Sequence, residues 1–352
     1  MRDKGRLIVR FLASLIAAVV CASPLLVPAD TREDLGAKLS QTVAAWFPAE
    51  ASEAPSAEPT AVPLAQETTP SVREQAPAVS VMAEVIPPKT SGGGSVSEET
   101  LRGGTHLSGG VYYKNRSGLS VDFAAYDGAD PGVTLTPGAP DPQVLIIHTH
   151  TTESYMRYYA GYFNKGDLIR TVDSRQNVCV AGEVLANRLR AAGIGTVHIT
   201  TVHDQPQYVG SYGRSAASVQ KVLKQYPSIR LVIDLHRDAV QRSNTDKIKP
   251  TATVDGEKAA QMMLIVCADD PADDPNPLWE QNVALALAVQ HDLAERYDGL
   301  MRPVGFTDIR YNEASRPGFL VEVGAEVNTF AEAMTSAALL GDALIRVLTE
   351  RN

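Results

Sequence analysis

The 352-residue chain carries 32 basic and 41 acidic side chains, a net charge of −9, and only three cysteines. That balance, with no basic stripe to offset it, argues against a nucleic-acid backbone as partner. So few cysteines exclude a disulfide framework.

Met1 to Arg6 is basic, and the 17 residues from Phe11 to Val27 carry no charge. Such a stretch is the short end of a bilayer span, and its cationic flank places the N-terminus inside the cell and the rest outside. Residues 1–28 are therefore expected to be a membrane anchor, with a cleaved signal peptide as the alternative. Residues 29–104 read as an acidic tether: Asp30 to Glu99 holds 11 acidic and 4 basic residues, and 49–97 is rich in Pro, Ala, Glu, Ser and Thr. A segment of that composition buries too little apolar surface to fold.

The folded domain is expected over 105–352. Val111 to Tyr113 and Leu119 to Phe123 predict a short antiparallel lead-in, and residues 127–142 a turn region. Val144 to His148 is a strand, followed by a polar loop to Gln176. A helix near 177–192, a strand near 195–200, a helix near 214–226 and a strand over 229–236 give a repeated β-α-β pattern. A hairpin turn over 251–257 leads into the strand Met262 to Cys267. A helix over 277–297, strands over 302–311 and 319–323, and a closing helix over 329–348 complete the chain.

The runs Val144 to Ile147 and Leu231 to Leu235 are continuously apolar, as in parallel strands covered on both faces. Ligands of such sheets bind at the carboxyl ends of the strands. His148, His150 and Glu153 follow the first run, His236 ends the second, and Glu322 sits in the apolar stretch Phe319 to Gly324. Imidazole and carboxylate are the usual ligands of a catalytic zinc, which keeps one position open. His150 ranks above His148 as a ligand, because the strand is expected to end at His148 and the next residues can turn inward and bring His150 and Glu153 together; His148 would orient a ligand or contact substrate. Asp234 and Asp238 have the spacing to accept a proton from the His236 imidazole and fix its tautomer. Glu322, costly to bury unpaired, suits general acid-base work, with Glu326 as its rival. Tyr155, Tyr158, Tyr159, Tyr162 and Phe163 either line a groove or pack the loop. Cys179 and Cys267 read as buried free thiols, a pairing or metal role being the alternative. There is no GxSxG nucleophile elbow and no HExxH.

The runs Ile147 to Tyr155 (IHTHTTESY), Asn177-Val178 with Val180 to Glu183, Asp234 to Asp238 (DLHRD) and Val321 to Asn328 together resemble the stage II sporulation protein P family. These are cell-wall hydrolases of endospore-forming bacteria, and the resemblance covers about residues 105–350. It is related to the zinc-dependent N-acetylmuramoyl-L-alanine amidases. His236 matches their second histidine and Glu322 their late acid, whereas His-Thr-His stands where they carry Asp-Pro-Gly-His. The resemblance implies a three-layer α/β hydrolase on a mixed, mainly parallel sheet. It also implies one zinc on His150, His236 and Glu153 (or Asp173 as third ligand), and Glu322 as general base. The implied reaction is removal of stem peptides from peptidoglycan, and cleavage of peptide crosslinks, during forespore engulfment. The implied partners are stage II sporulation proteins D and M, with the catalytic domain held outside the cytoplasmic membrane. A catalytically inactive wall-binding or scaffold protein is the rival reading.

Overall fold

The computed structural model describes residues 86–167, 170–269, 275–308 and 316–349. The expected membrane segment and most of the tether lie outside these residues. Among the described residues no helix is long and apolar enough to cross a membrane.

In chain order the first strands are β1 (Gly94–Glu99), β2 (Thr105–Ser108), β3 (Val111–Asn115), β4 (Val144–Ile147), β5 (Tyr162–Phe163), β6 (Thr196–His198) and β7 (Leu231–Asp238). They continue with β8 (Gln241–Ser243), β9 (Asp246–Val254), β10 (Glu257–Ala260), β11 (Met262–Cys267), β12 (Val304–Thr307) and β13 (Gly318–Ala325). The helices are α1 (Cys179–Ala191), α2 (Ser211–Gln225), α3 (Trp279–Arg296) and α4 (Phe330–Leu348).

Eight strands form one sheet in the order β2-β3-β12-β11-β13-β7-β4-β6. Strands β13, β7, β4 and β6 run parallel, and β11 opposes β13, so the sheet is mixed. Helices cover both faces. On one face Val144, Ile146, Leu231 and Ile233 join side chains of α1, α3 and α4 in the main core. On the other, Leu145, Ile147 and Val232 pack against Val219 and Leu223 of α2. The result is the expected three-layer α/β architecture, and each fully buried aliphatic side chain contributes about 1.5–3 kcal/mol.

Strand register fixes what each face carries. Ile147 lies opposite Asp234, so Asp234, and by alternation His236, belong to the α2 face. On β13, Leu320 lies opposite Asp234 and Glu322 opposite His236, which puts Glu322 on that face too. Just beyond Glu322 the register shifts, and Gly324 takes φ +69° where a Cβ would meet the Asn328 Oδ1 at 2.8 Å. Only glycine fits that bend.

A second sheet departs from the sequence reading. Its order is β10-β9-β1-β5, with β8 on the side of β9. The expected hairpin turn is present at Asp255-Gly256, but it joins two full strands, β9 and β10. The tether was expected to run to residue 104; instead Gly94–Glu99 is an inner strand, parallel to β9, with Val96 packed on Met156, Phe163 and Val327. A charge explains the pairing. Lys249 of β9 is 1% exposed, and its Nζ lies 2.9 Å from Glu98 of β1 and 2.5 Å from Glu332 of α4. Glu332 also closes the capping box with Thr329. A buried ammonium is tolerated only with such partners. The lead-in differs as well: β3 pairs with Thr105–Ser108, whereas Leu119 to Val121 forms no strand and Phe123–Ala125 is a single 3-10 turn.

A fragment from residue 86 should therefore unfold cooperatively at a distinctly higher urea concentration than one from residue 105. The shorter fragment loses β1 and one carboxylate of the Lys249 cluster. Equal midpoints in the two urea titrations would restore the tether boundary at 104.

Candidate active site

Strand β4 ends at His148, and the chain turns at once. Glu153 N–H donates to the His150 carbonyl at 3.0 Å, and the Thr152 hydroxyl donates to Asp204 at 2.6 Å. This turn brings His150 and Glu153 to the end of β7. The Glu153 Oε2 lies 3.5 Å from His236 Nδ1 and accepts from the Arg237 backbone N–H at 3.3 Å. The His150 and His236 rings meet edge to face, with centroids 5.2 Å apart. His150, Glu153 and His236 are thus neighbours, drawn from the turn after β4 and the end of β7.

The surroundings are strongly polarised. His236 is 3% exposed, and its Nε2 lies 2.8 Å from Asp234 Oδ2 without forming a directed hydrogen bond. Burial opposes a charge on this imidazole, but Asp234 and Glu153 outweigh it and hold the ring protonated well above the usual histidine range. Glu153 is pushed up by burial, yet the His236 hydrogen bond and the charges of Arg237 and Arg170 bring it down to about 2. Burial and the neighbouring His236 bring His150 down to about 4. A buried cationic ring held between two carboxylates marks a place where a cation is favoured.

Glu322 faces His236 across the β7–β13 pair. Its Oε2 is enclosed and has no hydrogen-bond partner among the described residues. Burial first, then the charge of Asp238, pushes it up to about 8. Its rival Glu326 is engaged instead by Lys247 and lies 3.9 Å from Arg237, a structural ion pair. Beside Glu322 opens a cavity of about 630 Å³, rimmed by Arg102, Lys114, Arg116 and Arg302.

Several expected roles fall elsewhere. His148 turns to the α1 face of the sheet, where its Nδ1 donates to the Leu235 carbonyl at 2.7 Å and its Nε2 meets His198. Of the two aspartates flanking His236, only Asp234 reaches it; Asp238 pairs with Arg302 at 2.7 Å. Asp173 is tied to Arg175 and Gln176 on the surface side of its loop, so the third-ligand alternative lacks support. Tyr155 is buried, its hydroxyl donating to Val323 O, while Tyr162 and Phe163 form β5, so loop packing accounts for these aromatics.

Other residues join the site that the sequence did not single out. Tyr208 stacks on His150 at 4.4 Å with its hydroxyl 2.9 Å from Nε2, and Tyr212 stacks parallel to His236 at 6.5 Å. Arg170 bridges Glu153 and Asp204 at 3.1 and 3.0 Å. Tyr208 lies on the approach to α2, Tyr212 in its first turn and Arg170 in a loop, and no spacing ties them to the histidine motifs.

The side chains of His150, His236 and Glu153, two imidazoles and an ionised carboxylate, are of the kinds that hold zinc, although their donor atoms do not all lie within 4.8 Å of one another as they stand. Asp234 behind His236 supplies the orienting carboxylate common at such ligands. Asp234→Asn should weaken zinc binding at this site about 10–100-fold, whereas Asp238→Asn should leave it unchanged. Zinc titrations of the two variants check this, and equal losses would contradict the assignment of Asp234.

Residues 98–345 match the sequence family described as Stage II sporulation protein P. The stage II sporulation protein P of Bacillus subtilis (strain 168) is 26% identical over 211 residues, covering 56% of this chain and 49% of that protein. The chain thus spans about half the length of this curated relative. Among solved structures, AmiC2, an N-acetylmuramoyl-L-alanine amidase of Nostoc punctiforme, is 15% identical, with 58% and 94% of the two chains covered and a TM-score of 0.31. The CwlD amidase of Clostridioides difficile, solved with the GerS lipoprotein, is 13% identical, with 58% and 98% covered and a TM-score of 0.35. By the extent of the family match, the chain belongs to the stage II sporulation protein P family.

Proposed function

We propose that this chain is a zinc-dependent cell-wall hydrolase of sporulation that cleaves the N-acetylmuramoyl-L-alanine amide bond of peptidoglycan. The observation that carries the proposal is Glu322: a buried carboxyl raised to about 8, whose enclosed Oε2 has no hydrogen-bond partner among the described residues, facing His236 from the neighbouring strand. This carboxyl is poised to exchange a proton near neutral pH.

His150, His236 and Glu153 would hold the zinc, with Asp234 fixing the His236 ring. When bound, the metal would polarise the scissile carbonyl and make water acidic enough to attack near pH 7. Glu322 as carboxylate accepts the proton of the attacking water, then donates it to the leaving amine, returning to its starting state. Tyr208 and Tyr212 wall the histidines and restrict solvent. Lys114 and Arg116, on the cavity beside Glu322, suit the carboxylates of a stem peptide.

Cleavage of peptide crosslinks, action beside stage II sporulation proteins D and M, and attachment to the membrane through residues 1–28 belong to the same proposal. They follow from the family and from the N-terminal sequence. The tether would then be the part between residue 29 and the start of the described fold.

Glu322→Gln keeps shape but cannot accept a proton. It should retain fold and zinc while losing about 100-fold or more in turnover on wall material. Turnover and zinc content measured on one preparation check this. Loss of zinc would make Glu322 a ligand, near-normal turnover would remove it from the reaction, and an inactive, zinc-free wild type would favour the scaffold reading.

A further inference from the structure

We infer that the opposite face of the sheet carries a second metal site, formed by His148, Cys179 and His198, for a thiolate-preferring ion such as zinc. The site is separate from the one above and does not rest on that reading. Its three donor atoms all lie within 4.8 Å of one another, the only such trio of His, Cys, Asp or Glu among the described residues. His148 is fully buried, Cys179 is 2% exposed, and the His198 side chain is 2% exposed.

The tautomers give the argument its force. His148 Nδ1 lies 2.7 Å from the Leu235 carbonyl, which can only accept, so Nδ1 carries the proton. His198 Nδ1 lies 2.8 Å from Glu183 Oε2, a carboxylate whose His198 hydrogen bond holds it below its usual range, so this Nδ1 is protonated too. With Nδ1 protonated in both rings, the neutral form of each would present its lone pair at Nε2. Those two nitrogens face each other at 2.8 Å. Two acceptors in contact in a dry interior repel unless a cation lies between them.

The remaining features complete a ligand shell. A carboxylate behind a ligating histidine, as Glu183 stands behind His198, fixes its orientation. Cys179 opens α1, which places its Sγ beside the two rings. Gly182, one turn on, leaves the space vacant: a Cβ there would lie 2.6 Å from both Nε2 atoms. Zinc–nitrogen bonds of about 2.0–2.1 Å at a tetrahedral angle require the nitrogens about 3.3 Å apart, a small widening for two ring ends. Burial pushes the thiol up to about 12, so without metal it is protonated. Binding forms the sulfur–metal bond and breaks the S–H bond, releasing that proton to solvent. The bound ion would tie the ends of β4 and β6 to the start of α1, and so hold the backbone that presents His150.

Cobalt titration of the metal-stripped full chain tests this, because only a thiolate ligand gives the strong near-ultraviolet charge-transfer band of cobalt. The wild type should develop that band and bind two zinc ions. Cys179→Ser should lose the band and one zinc, whereas His236→Ala should lose one zinc and keep the band. His198→Ala should bind cobalt at this site at least 10-fold more weakly. A wild type without the band, or a Cys179→Ser variant that keeps it, would overturn the site, a proton alone then joining the two rings. Failure of the hydrolytic centre would appear differently, as a band intact in a protein without turnover.

Discussion

The register of three adjacent parallel strands is the constraint on which the molecule depends. With Ile147 opposite Asp234 and Glu322 opposite His236, one face of the sheet receives Asp234, His236 and Glu322 together. A slip of one residue between β7 and β13 would send Glu322 into the apolar layer of α1, α3 and α4 and separate it from His236. The buried runs Val144 to Ile147 and Leu231 to Leu235 hold that register because each side chain has a fitted place on one face or the other. The chemistry at the strand ends is thus positioned by the core.

Charges follow the same logic. Nearly every buried ionised group has a counter-charge from a distant part of the chain: Lys249 with Glu98 and Glu332, Arg170 with Glu153 and Asp204, Lys247 with Glu326. Leaving such a group unpaired in the interior would cost several kcal/mol. Glu322 stands apart because its enclosed oxygen has no such partner. Where a protein satisfies most buried charges, an unsatisfied one at a strand end is a mark of function.

Much of this was legible in the sequence. Continuous apolar runs revealed β4 and β7, and strand-end placement drew attention to His150, Glu153, His236 and Glu322. The second sheet was not legible, because Gly94–Glu99 has one apolar residue, Val96, and is held by pairing to β9 and by a lysine more than a hundred residues away. Alternation alone would put His148 and His150 on one face; their split comes from the turn that follows β4, and the partner Cys179 was not readable either, since neither cysteine shows metal-site spacing and His198 lies on another strand. Tyr208 and Arg170 were invisible because they reach the site through loop paths, which periodicity does not describe, and Tyr212 because it comes from the first turn of α2, far in sequence from the histidine motifs. Asp234 and Asp238 looked equivalent by spacing. Only the course of Arg302 toward Asp238 separates them.

The most direct measurement is mass analysis of the products released when the purified, zinc-loaded protein acts on isolated peptidoglycan. The account predicts free stem peptides with an unblocked N-terminal alanine, alongside glycan strands stripped of peptide. Wall material left intact by a folded, zinc-bound protein would contradict it.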